Sequence, residues 1–339
     1  MAEQLEISIS TVSRALKNNP RIGDFTREKV IRKAREMGYF HDIRFDLQNR
    51  ERSNLIGVIV PSIRYHLYAS AISGMEATLE KKGMHLVVCQ SNESYEREKV
   101  LIEKLLLMGV NGIIISIASE TRNFFHFEKI KQNGIPLVFF NRECNEVNTH
   151  KVTIDNRRAA CEAVEHLISV GCKRIAYLGG PEVLQINAER IIGYKMALRN
   201  ANLPIDERHI VFSRFDRQST LTAARQILYT PDYPDGILTF SDQIAVSVML
   251  AAKERGITMP KELSVIGFNN EPVDEFLEPS LTSIEQPGFA MGATAAKMLL
   301  QRSTELKDDY EKRILKSYLV VRNSTNRNKS SEMKTIRSQ

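Results

Sequence analysis

The chain lacks the features of membrane and secreted proteins. No apolar run reaches the ~18 residues that a membrane-spanning helix needs. The first residues include Glu3 and Glu6 instead of the apolar centre of a secretory signal. We therefore expect a cytoplasmic protein with no membrane partner. The 339 residues, 42% of them hydrophobic, are enough for two or three folding units at roughly 150 residues each.

Groupings typical of metal centres and enzymes are also missing. No C-x-x-C pair occurs, no histidine stands at zinc-ligand spacing, and the seven histidines follow no Ser-His-Asp order. The motif "LGGP" is a lone glycine turn and not a phosphate loop. We expect no metal, no cofactor and no enzyme activity. The four cysteines, which we expect to be reduced thiols, are Cys89, Cys144, Cys161 and Cys172.

Positive charge is concentrated at the N-terminus. The net charge is +6 and the sequence pI is about 9.0. Residues 1–54 contain eleven Lys and Arg against eight Asp and Glu, a net charge of +3. Half of the excess therefore lies in a sixth of the chain, which is compatible with a nucleic-acid partner without establishing one.

Residues 1–40 have the pattern of a small helical unit. Val12, Ala15 and Leu16 recur at helical spacing, and the loop "KNNPRIG" follows. Thr26 is the predicted N-cap of a further helix, "REKVIRKAREMGY". Residues 41–54 are polar around a short apolar centre, which predicts a linker that folds only when supported.

From Leu55 onward, buried-strand patterns alternate with helical patterns. The strand patterns are "LIGVIV", "HLVVCQ", "GIIISI", "PLVFFN", "KVTIDN", "RIAYLGG", "HIVFS", "GILTFSD" and "LSVIGFNN". This alternation predicts parallel, doubly wound sheets, and the number of units exceeds one ordinary sheet. The expected fold is therefore a small all-α headpiece followed by an α/β core of two doubly wound lobes. The polar residues 326–339 predict a disordered tail.

The stretch "SISTVSRAL" allows two interpretations. Ser8 can cap a helix, which leaves Ile9, Ser10, Thr11, Ser13 and Arg14 on its outer, N-terminal side. Short polar side chains and an arginine suit a helix that enters the major groove of DNA. An ordinary surface helix with a Ser- and Thr-rich start has the same pattern, so this stretch alone leaves both interpretations open.

The order of motifs along residues 1–325 resembles the LacI/GalR family of bacterial transcription regulators. The motifs include "STVSRAL", "RSNLIGVIVP", "GVNGIIIS", "VTIDN", "ERIIGYKMAL", "PKELSVIGFNN" and "PSLTSIEQP". The resemblance implies a helix-turn-helix headpiece, a hinge and a periplasmic-binding-protein-like core. It also implies a C2 homodimer that binds double-stranded operator DNA. A carbohydrate-class effector bound between the lobes would change the affinity for the operator. By position, Ile9, Ser10 and Arg14 would reach bases, while Ser8, Thr11, Ser13 and Asn18 would hold phosphates.

The resemblance also implies domain boundaries. The headpiece would occupy 1–40 and the hinge 41–54, ahead of an effector-binding core at 55–325. The N-lobe would comprise about 55–157 and 288–318, and the C-lobe about 158–287 and 319–325.

Three departures from the family pattern affect the DNA-binding end. Met1 falls inside the first helix of the pattern, so we expect either a start upstream or weakened DNA binding. Glu6 stands where the family usually has glycine, so we expect a left-handed backbone at a cost of about 1 kcal/mol. In the hinge, Leu47 comes one residue early and Phe45 is bulky; we expect one of them to be the wedge in the minor groove, unless this protein hardly kinks its operator.

Eight positions match the effector contacts of the family. They are Leu67, Tyr68, Asn141, Arg142, Arg190, Phe215, Ser241 and Asn269. Asn141 and Asn269 are neutral amides where relatives often have carboxylates, while Arg142 and Arg190 remain. We therefore expect a positive cleft and an anionic sugar derivative. Asp155 and Asp242, by contrast, are expected to be structural.

Other protein classes explain less of the sequence. A solute-binding protein would share the core but leave the headpiece unexplained. A regulator that senses its ligand but no longer binds DNA effectively stays possible, because of the departures at Met1, Glu6 and the hinge. The expected function is a DNA-binding regulator, with repression relieved by ligand as the commoner family behaviour.

Overall fold

The computed structural model of the protein describes residues 1–16, 19, 21–36, 53–302 and 310–327. Most of the predicted hinge at 41–54 and of the predicted tail at 326–339 lies outside these ranges. Within them, no helix combines the length and the apolar character that crossing a membrane requires.

Three N-terminal helices pack around one small apolar cluster. They are α1 (Ala2–Leu5), α2 (Ile9–Leu16) and α3 (Asp24–Glu36). The cluster consists of Leu5, Val12, Ala15 and Val30. Between α1 and α2, Glu6 has φ 55° and ψ 38°, so the left-handed backbone expected at this position is present. The Ser8 hydroxyl accepts a hydrogen bond from the Thr11 N–H at 3.1 Å and caps α2 as predicted.

Helix α3 begins earlier than predicted. Thr26 is not its N-cap, because the helix starts at Asp24 and the Arg27 N–H already donates to the Gly23 carbonyl. The Arg27 guanidinium donates to the Asp24 carboxylate at 2.5 Å and to the Ile22 carbonyl at 2.7 Å. The acidic residue in the first turn also suits the positive end of the helix dipole. Arg27 therefore fixes the start of α3 to the loop before it.

The first lobe is built on a parallel sheet. Its six strands among the described residues have the order β11-β5-β4-β3-β1-β2, and all neighbours are parallel. The apolar side chains of the four inner strands are largely buried because helices cover both faces of the sheet. The strands are β1 (Leu55–Val60), β2 (His85–Gln90), β3 (Gly112–Ile115), β4 (Leu137–Phe140), β5 (His150–Ile154) and β11 (Lys312–Leu315).

The second lobe repeats this arrangement. Its described strands have the order β12-β10-β9-β8-β6-β7, with β12 antiparallel to β10 and the others parallel. The predicted fold class is therefore confirmed, with one antiparallel edge strand added. The strands are β6 (Ile175–Gly179), β7 (Ile210–Phe212), β8 (Gly236–Thr239), β9 (Ser264–Asn269), β10 (Thr282–Glu285) and β12 (Tyr318–Val320).

The chain passes between the two sheets three times, after β5, after β10 and after β11. The core helices are α4 (His66–Leu79), α5 (Tyr95–Leu107), α6 (Phe125–Gln132), α7 (Asn156–Ser169), α8 (Gln185–Asn200), α9 (Arg217–Leu228), α10 (Asp242–Arg255) and α11 (Gly288–Arg302). Helix α11 returns to the first lobe and packs on α4, while α7 packs on α8 in the second lobe.

A glycine permits close helix packing in each lobe. A Cβ atom on Gly74 of α4 would lie 2.0 Å from the Phe289 carbonyl oxygen of α11. A Cβ atom on Gly193 of α8 would lie 2.0 Å from the Arg157 carbonyl oxygen of α7. Both contacts join backbone to backbone, so any side chain at either position would push the helices apart.

Candidate functional site

The outer surface of α2 presents the residues that we predicted to contact DNA. Ser8, Ile9, Ser10, Ser13 and Arg14 are exposed, and Thr11 is half-buried. Ile9 is 80% exposed, so this large apolar side chain has no role in the headpiece core. The Ser8 hydroxyl also lies 2.9 Å from that of Ser10 and 2.8 Å from that of Thr11. The predicted contacts of Asn18, Phe45 and Leu47 lie outside the described residues.

A cavity between the two lobes brings together all eight residues predicted for the effector. Its volume is about 40 Å³, which is room for a few water molecules only. Four more residues line it that the sequence did not single out: Tyr65, Ile186, Phe240 and Gln286. The predicted residues in the lining are Leu67, Tyr68, Asn141, Arg142, Arg190, Phe215, Ser241 and Asn269.

In the first lobe, Asn141 and Tyr68 form a buried polar wall. The Asn141 amide donates to the Tyr68 hydroxyl at 3.0 Å, and that hydroxyl lies 3.2 Å from the Ser116 hydroxyl. Burial raises the pKa of Tyr68, so the phenol stays protonated. Asn141 follows β4 with φ 59°, a left-handed conformation that asparagine tolerates. This backbone turn directs the amide towards the tyrosine.

Arg142 is neutralised by a residue that we did not predict. Its guanidinium donates to both carboxylate oxygens of Glu93, at 2.7 and 3.0 Å, and to the Ile117 carbonyl at 3.2 Å. Burial acts to raise the pKa of Glu93, but the charge and hydrogen bonds of Arg142 outweigh it and lower that pKa. Glu93 is therefore ionised, and the expectation of a positive cleft is wrong at Arg142.

Arg190 is the cationic group that the second lobe contributes. It is 2% exposed and donates to the Asn156 side-chain oxygen at 3.0 Å and to the Phe240 carbonyl at 2.7 Å. Its guanidinium carbon lies 3.4 Å from the centroid of the Phe268 ring. Burial lowers the pKa of Arg190 to about 10, so it stays charged at neutral pH. Among the described residues, no carboxylate forms an ion pair with it.

The remaining wall of the second lobe combines an amide pair with aromatic rings. The Gln286 amide donates to the Asn269 side-chain oxygen at 2.7 Å. The other amide atom of Gln286, Oε1, is buried with no hydrogen-bond partner in the described part of the chain. Phe215 lies 5.5 Å from Phe240, measured between ring centroids. Amides beside aromatic faces suit a ligand that has both hydroxyl groups and apolar C–H faces.

Two contacts among the described residues join the lobes near this cavity. The Arg142 guanidinium carbon of the first lobe lies 5.1 Å from the Phe215 ring centroid of the second lobe. The Glu271 carboxylate of the second lobe accepts hydrogen bonds from the His66 N–H, at 3.1 and 3.3 Å. His66 is the first residue of α4, where an anion is favourable. These contacts and the small cavity describe a closed cleft.

Comparison with known proteins identifies the family. Residues 1–42 match the family model of the bacterial regulatory proteins, lacI family, and residues 164–325 match that of the periplasmic binding protein-like domain. The HTH-type transcriptional repressor CytR of Escherichia coli (strain K12) is 31% identical over 325 residues, which cover 96% of this chain and 95% of CytR. The chain belongs to the LacI family of bacterial transcription regulators.

Solved structures of transcription regulators have a similar fold. A transcriptional regulator CelR–cellobiose complex has a TM-score of 0.74 and 26% identity, covering 95% of this chain and 98% of CelR. A LacI family transcriptional regulator from Enterococcus faecium with bound ribose has a TM-score of 0.70 and 28% identity, covering 80% of this chain and 98% of that one. The LacI/GalR resemblance is therefore confirmed.

Two aspartates beside the cleft of this LacI-family chain have structural partners. Asp155 caps α7 by accepting from the Arg158 N–H at 2.9 Å. Asp242 accepts from the Ser283 hydroxyl at 2.6 Å and from the Glu271 N–H at 3.0 Å. Burial raises the pKa of Asp242, and burial together with the charge of Asp242 raises the pKa of Asp274. We infer that this buried pair keeps at least one proton near neutral pH.

Proposed function

We propose that this chain is a DNA-binding repressor whose operator affinity is controlled by a neutral sugar in the cleft between its lobes. The observation that carries the proposal is the convergence of the eight matched side chains on one cavity in a chain that also has a helix-turn-helix headpiece. CytR is named a transcriptional repressor, and the two solved relatives hold cellobiose and ribose.

The DNA-binding part of the proposal rests on the exposed side of α2. Arg14 lies one helical turn after Ser10, and both side chains are exposed on the helix that Ser8 caps. Hydroxyl groups at a helix N-terminus bind phosphates, while an arginine reads guanine in the major groove. We expect operator contacts from Ile9, Ser10 and Arg14, and phosphate contacts from Ser8, Thr11 and Ser13.

Fluorescence anisotropy tests this part with DNA from the chain's own promoter region at two salt concentrations. We expect Arg14→Ala to weaken binding to the operator by about 1–3 kcal/mol and to reduce sequence selectivity. Arg199→Ala is the matched control, because it removes the same charge from an exposed position at the end of α8. Equal binding by both variants, or binding that moderate salt abolishes, would favour a ligand sensor that does not bind an operator.

The chemistry of the cleft favours a neutral ligand. The Arg142 charge is already balanced by Glu93, which leaves Arg190 as the cation without an ion pair among the described cleft residues. Asn141, Asn269 and Gln286 recognise hydroxyl groups, and Phe215 and Phe240 offer faces for sugar C–H groups. The anionic effector suggested by the sequence thus loses one of its two supporting arginines.

Thermal unfolding of the full chain with paired ligands tests the effector class. We expect neutral sugars to raise the melting temperature more than the uronic acids of the same ring. Asn269→Ala, at the cleft wall, should abolish the shift, while Asn200→Ala, at the exposed end of α8, should leave it unchanged. A larger shift with the uronic acids would restore the anionic effector.

A C2 homodimer is the proposed assembly. On the second lobe, Phe276 is 84% exposed and Val273 is 52% exposed, and both lie in the short helical turn Pro272–Phe276. Apolar side chains grouped in this way are typical of an interface. Sedimentation of the full chain should give a dimer, and Phe276→Asp should shift it towards monomer. A wild-type monomer at every accessible concentration would contradict this assembly.

A further inference from the structure

Two buried aspartates of the second lobe lie in contact with each other. Asp242 is the first residue of α10, Asp274 belongs to the turn Pro272–Phe276, and both are at most 1% exposed. Among the described residues, no N–H or O–H group donates to either oxygen of Asp274, whose nearest strong charge is that of Asp242. Two ionised carboxylates in contact repel strongly where water is excluded. The unpartnered oxygens therefore indicate a proton between the two side chains.

Asp242 holds the loop that follows β9. One of its oxygens accepts from the Ser283 hydroxyl, and that hydroxyl accepts from the Asn270 N–H at 3.0 Å. Its other oxygen accepts from the Glu271 N–H. The loop begins at Asn269, which lines the effector cavity, and ends at Glu271, which bonds to α4 of the first lobe. Asp242 thus fixes the backbone between a residue of the cleft wall and the residue that joins the lobes.

Charges of both signs surround the two aspartates. Burial is the main cause of the raised pKa of each aspartate, and the charge of Glu271 adds to it in both. Arg322, after β12, acts to lower the pKa of Asp274, and Arg190 of α8 interacts with the charge of Asp242. These opposing charges favour a state in which one aspartate is ionised and the other is protonated. The groups whose charges act on the pair or on its neighbours are Glu271, Glu275, Arg190, Arg322 and His66.

Glu271 connects this proton to the position of the lobes. In the closed cleft its carboxylate is half-buried against the N-terminus of α4. When the lobes separate, the carboxylate returns to water, which screens its charge from the two aspartates. The pair then binds its proton less tightly in the open form than in the closed form. Because coupling is reciprocal, a proton that binds the closed form more tightly also stabilises that form.

We propose that Asp242 and Asp274 share a proton that positions Glu271 and holds the two lobes closed. Protonated Asp274 donates to Asp242, and the ionised Asp242 carboxylate has enough lone pairs to accept from Ser283 and Glu271 as well. When the proton is lost to water, two like charges remain beneath the loop, and the cleft opens. Closure is therefore favoured at low pH and is lost as the pH rises. This coupling concerns the lobes alone and does not rest on the proposed function.

Hydrogen exchange at the His66 N–H of the full chain measures closure, because Glu271 accepts from this N–H only across a closed cleft. The exchange rate is first corrected for its intrinsic dependence on pH. We then expect protection to fall by about fivefold between about pH 6 and about pH 9, which is the lower end of the usual coupling between two sites. Protection that does not change with pH in the wild type would overturn the proposal.

Asp274→Asn separates the proton from the packing of the side chain. Its amide donates to Asp242 at every pH, as the protonated acid does, so His66 protection should stay high as the pH rises. The exposed Asp232→Asn is the matched control and should keep the wild-type response. Asp242→Asn offers one acceptor oxygen to two donors, so protection should be low throughout. A wild-type loss of protection in Asp274→Asn would refute the shared proton.

Infrared difference spectroscopy of the wild type tests the proton without any variant. The absorption of a protonated carboxyl group should disappear over the pH range in which His66 protection falls. If protection falls while this absorption persists, another group controls closure and the proposal is wrong. Sugar binding to the cleft is measured separately, so either result leaves the proposed function to its own test.

Discussion

The Glu271 carboxylate of the second lobe caps helix α4 of the first lobe through the backbone N–H of His66. The bond joins residues 205 positions apart in the chain. Burial at this position raises the pKa of Glu271. Because the two partners belong to different lobes, the contact exists only when the cleft is closed.

The first prediction concerns this contact. Glu271→Gln should shift the free protein towards an open cleft and raise the effector Kd about fivefold, since an anion at a helix N-terminus contributes about 1 kcal/mol. Small-angle X-ray scattering should report a larger radius of gyration for the variant. Glu275→Gln, four residues later and exposed, is the control. An unchanged radius and Kd would mean that the bond follows closure without stabilising it.

The second prediction concerns the charge of the cleft. Glu93→Gln leaves the buried Arg142 without its ion pair, so the free energy of unfolding should fall by about 2–3 kcal/mol. The same change should improve binding of a uronic acid relative to the neutral sugar, because no carboxylate then balances the charge of Arg142. Calorimetry with both ligands measures this ratio. The double variant Glu93→Gln/Arg142→Gln should reverse the change in preference. A ratio of the two Kd values that is the same in all variants would show that Arg142 does not face the ligand.

The third prediction concerns the buried pair Asp242 and Asp274. Their raised pKa values mean that the folded state binds more protons than the unfolded state above about pH 4, so their contribution to stability falls as the pH rises. Asp274→Asn removes one carboxylate whose two oxygens are buried without hydrogen-bond partners in the described part of the chain. Its melting temperature should exceed that of the wild type by about 2–4 °C at pH 8 and by less at pH 5.

Thermal unfolding at the two pH values measures this difference. The exposed Asp232→Asn is a suitable control and should show a much smaller dependence on pH. A lower melting temperature of Asp274→Asn at both pH values would indicate that the carboxylate, and not the neutral form, supports the fold.

The fourth prediction concerns Glu6, which has φ 55° between α1 and α2. Glu6→Gly should stabilise the headpiece by about 1 kcal/mol, because glycine adopts this conformation without a Cβ clash. It should also tighten DNA binding by removing a negative charge. Glu6→Gln removes the charge and keeps the strained backbone, so comparing the two variants in the anisotropy experiment separates these effects. Weaker DNA binding by both would show that the Glu6 carboxylate is itself needed.

Much of the fold was predictable because long apolar strands and amphipathic helices leave strong local patterns. The strands from Leu55–Val60 to Ser264–Asn269 all coincide with predicted runs. The later strands β10, β11 and β12 were not predicted as strands. Strands β11 and β12 carry exposed or half-buried side chains at a sheet edge, so their sequences lack a buried apolar run. Each of them pairs with a strand that is distant in the sequence or on another segment, and a local sequence pattern does not indicate such pairing.

The residues of the candidate site were likewise predictable only in part. The lining residues were found because each stands beside a recognisable motif, as Asn141 follows "LVFF" and Arg190 lies within "ERIIGY". Glu93 was missed because it stands in a turn, with φ 63°, and meets its partner 49 residues away in the chain.

The three passages of the chain between the sheets restrict how this protein can be divided. A fragment that ends before Gly288 would lack α11, and with it the surface that meets α4 at Gly74. It would also lack β11, the neighbour of β5. Neither lobe is therefore available as one continuous stretch of sequence. Anyone who wishes to isolate the first lobe must splice residues from both ends of the core, and a nonsense mutation late in the gene damages both lobes at once.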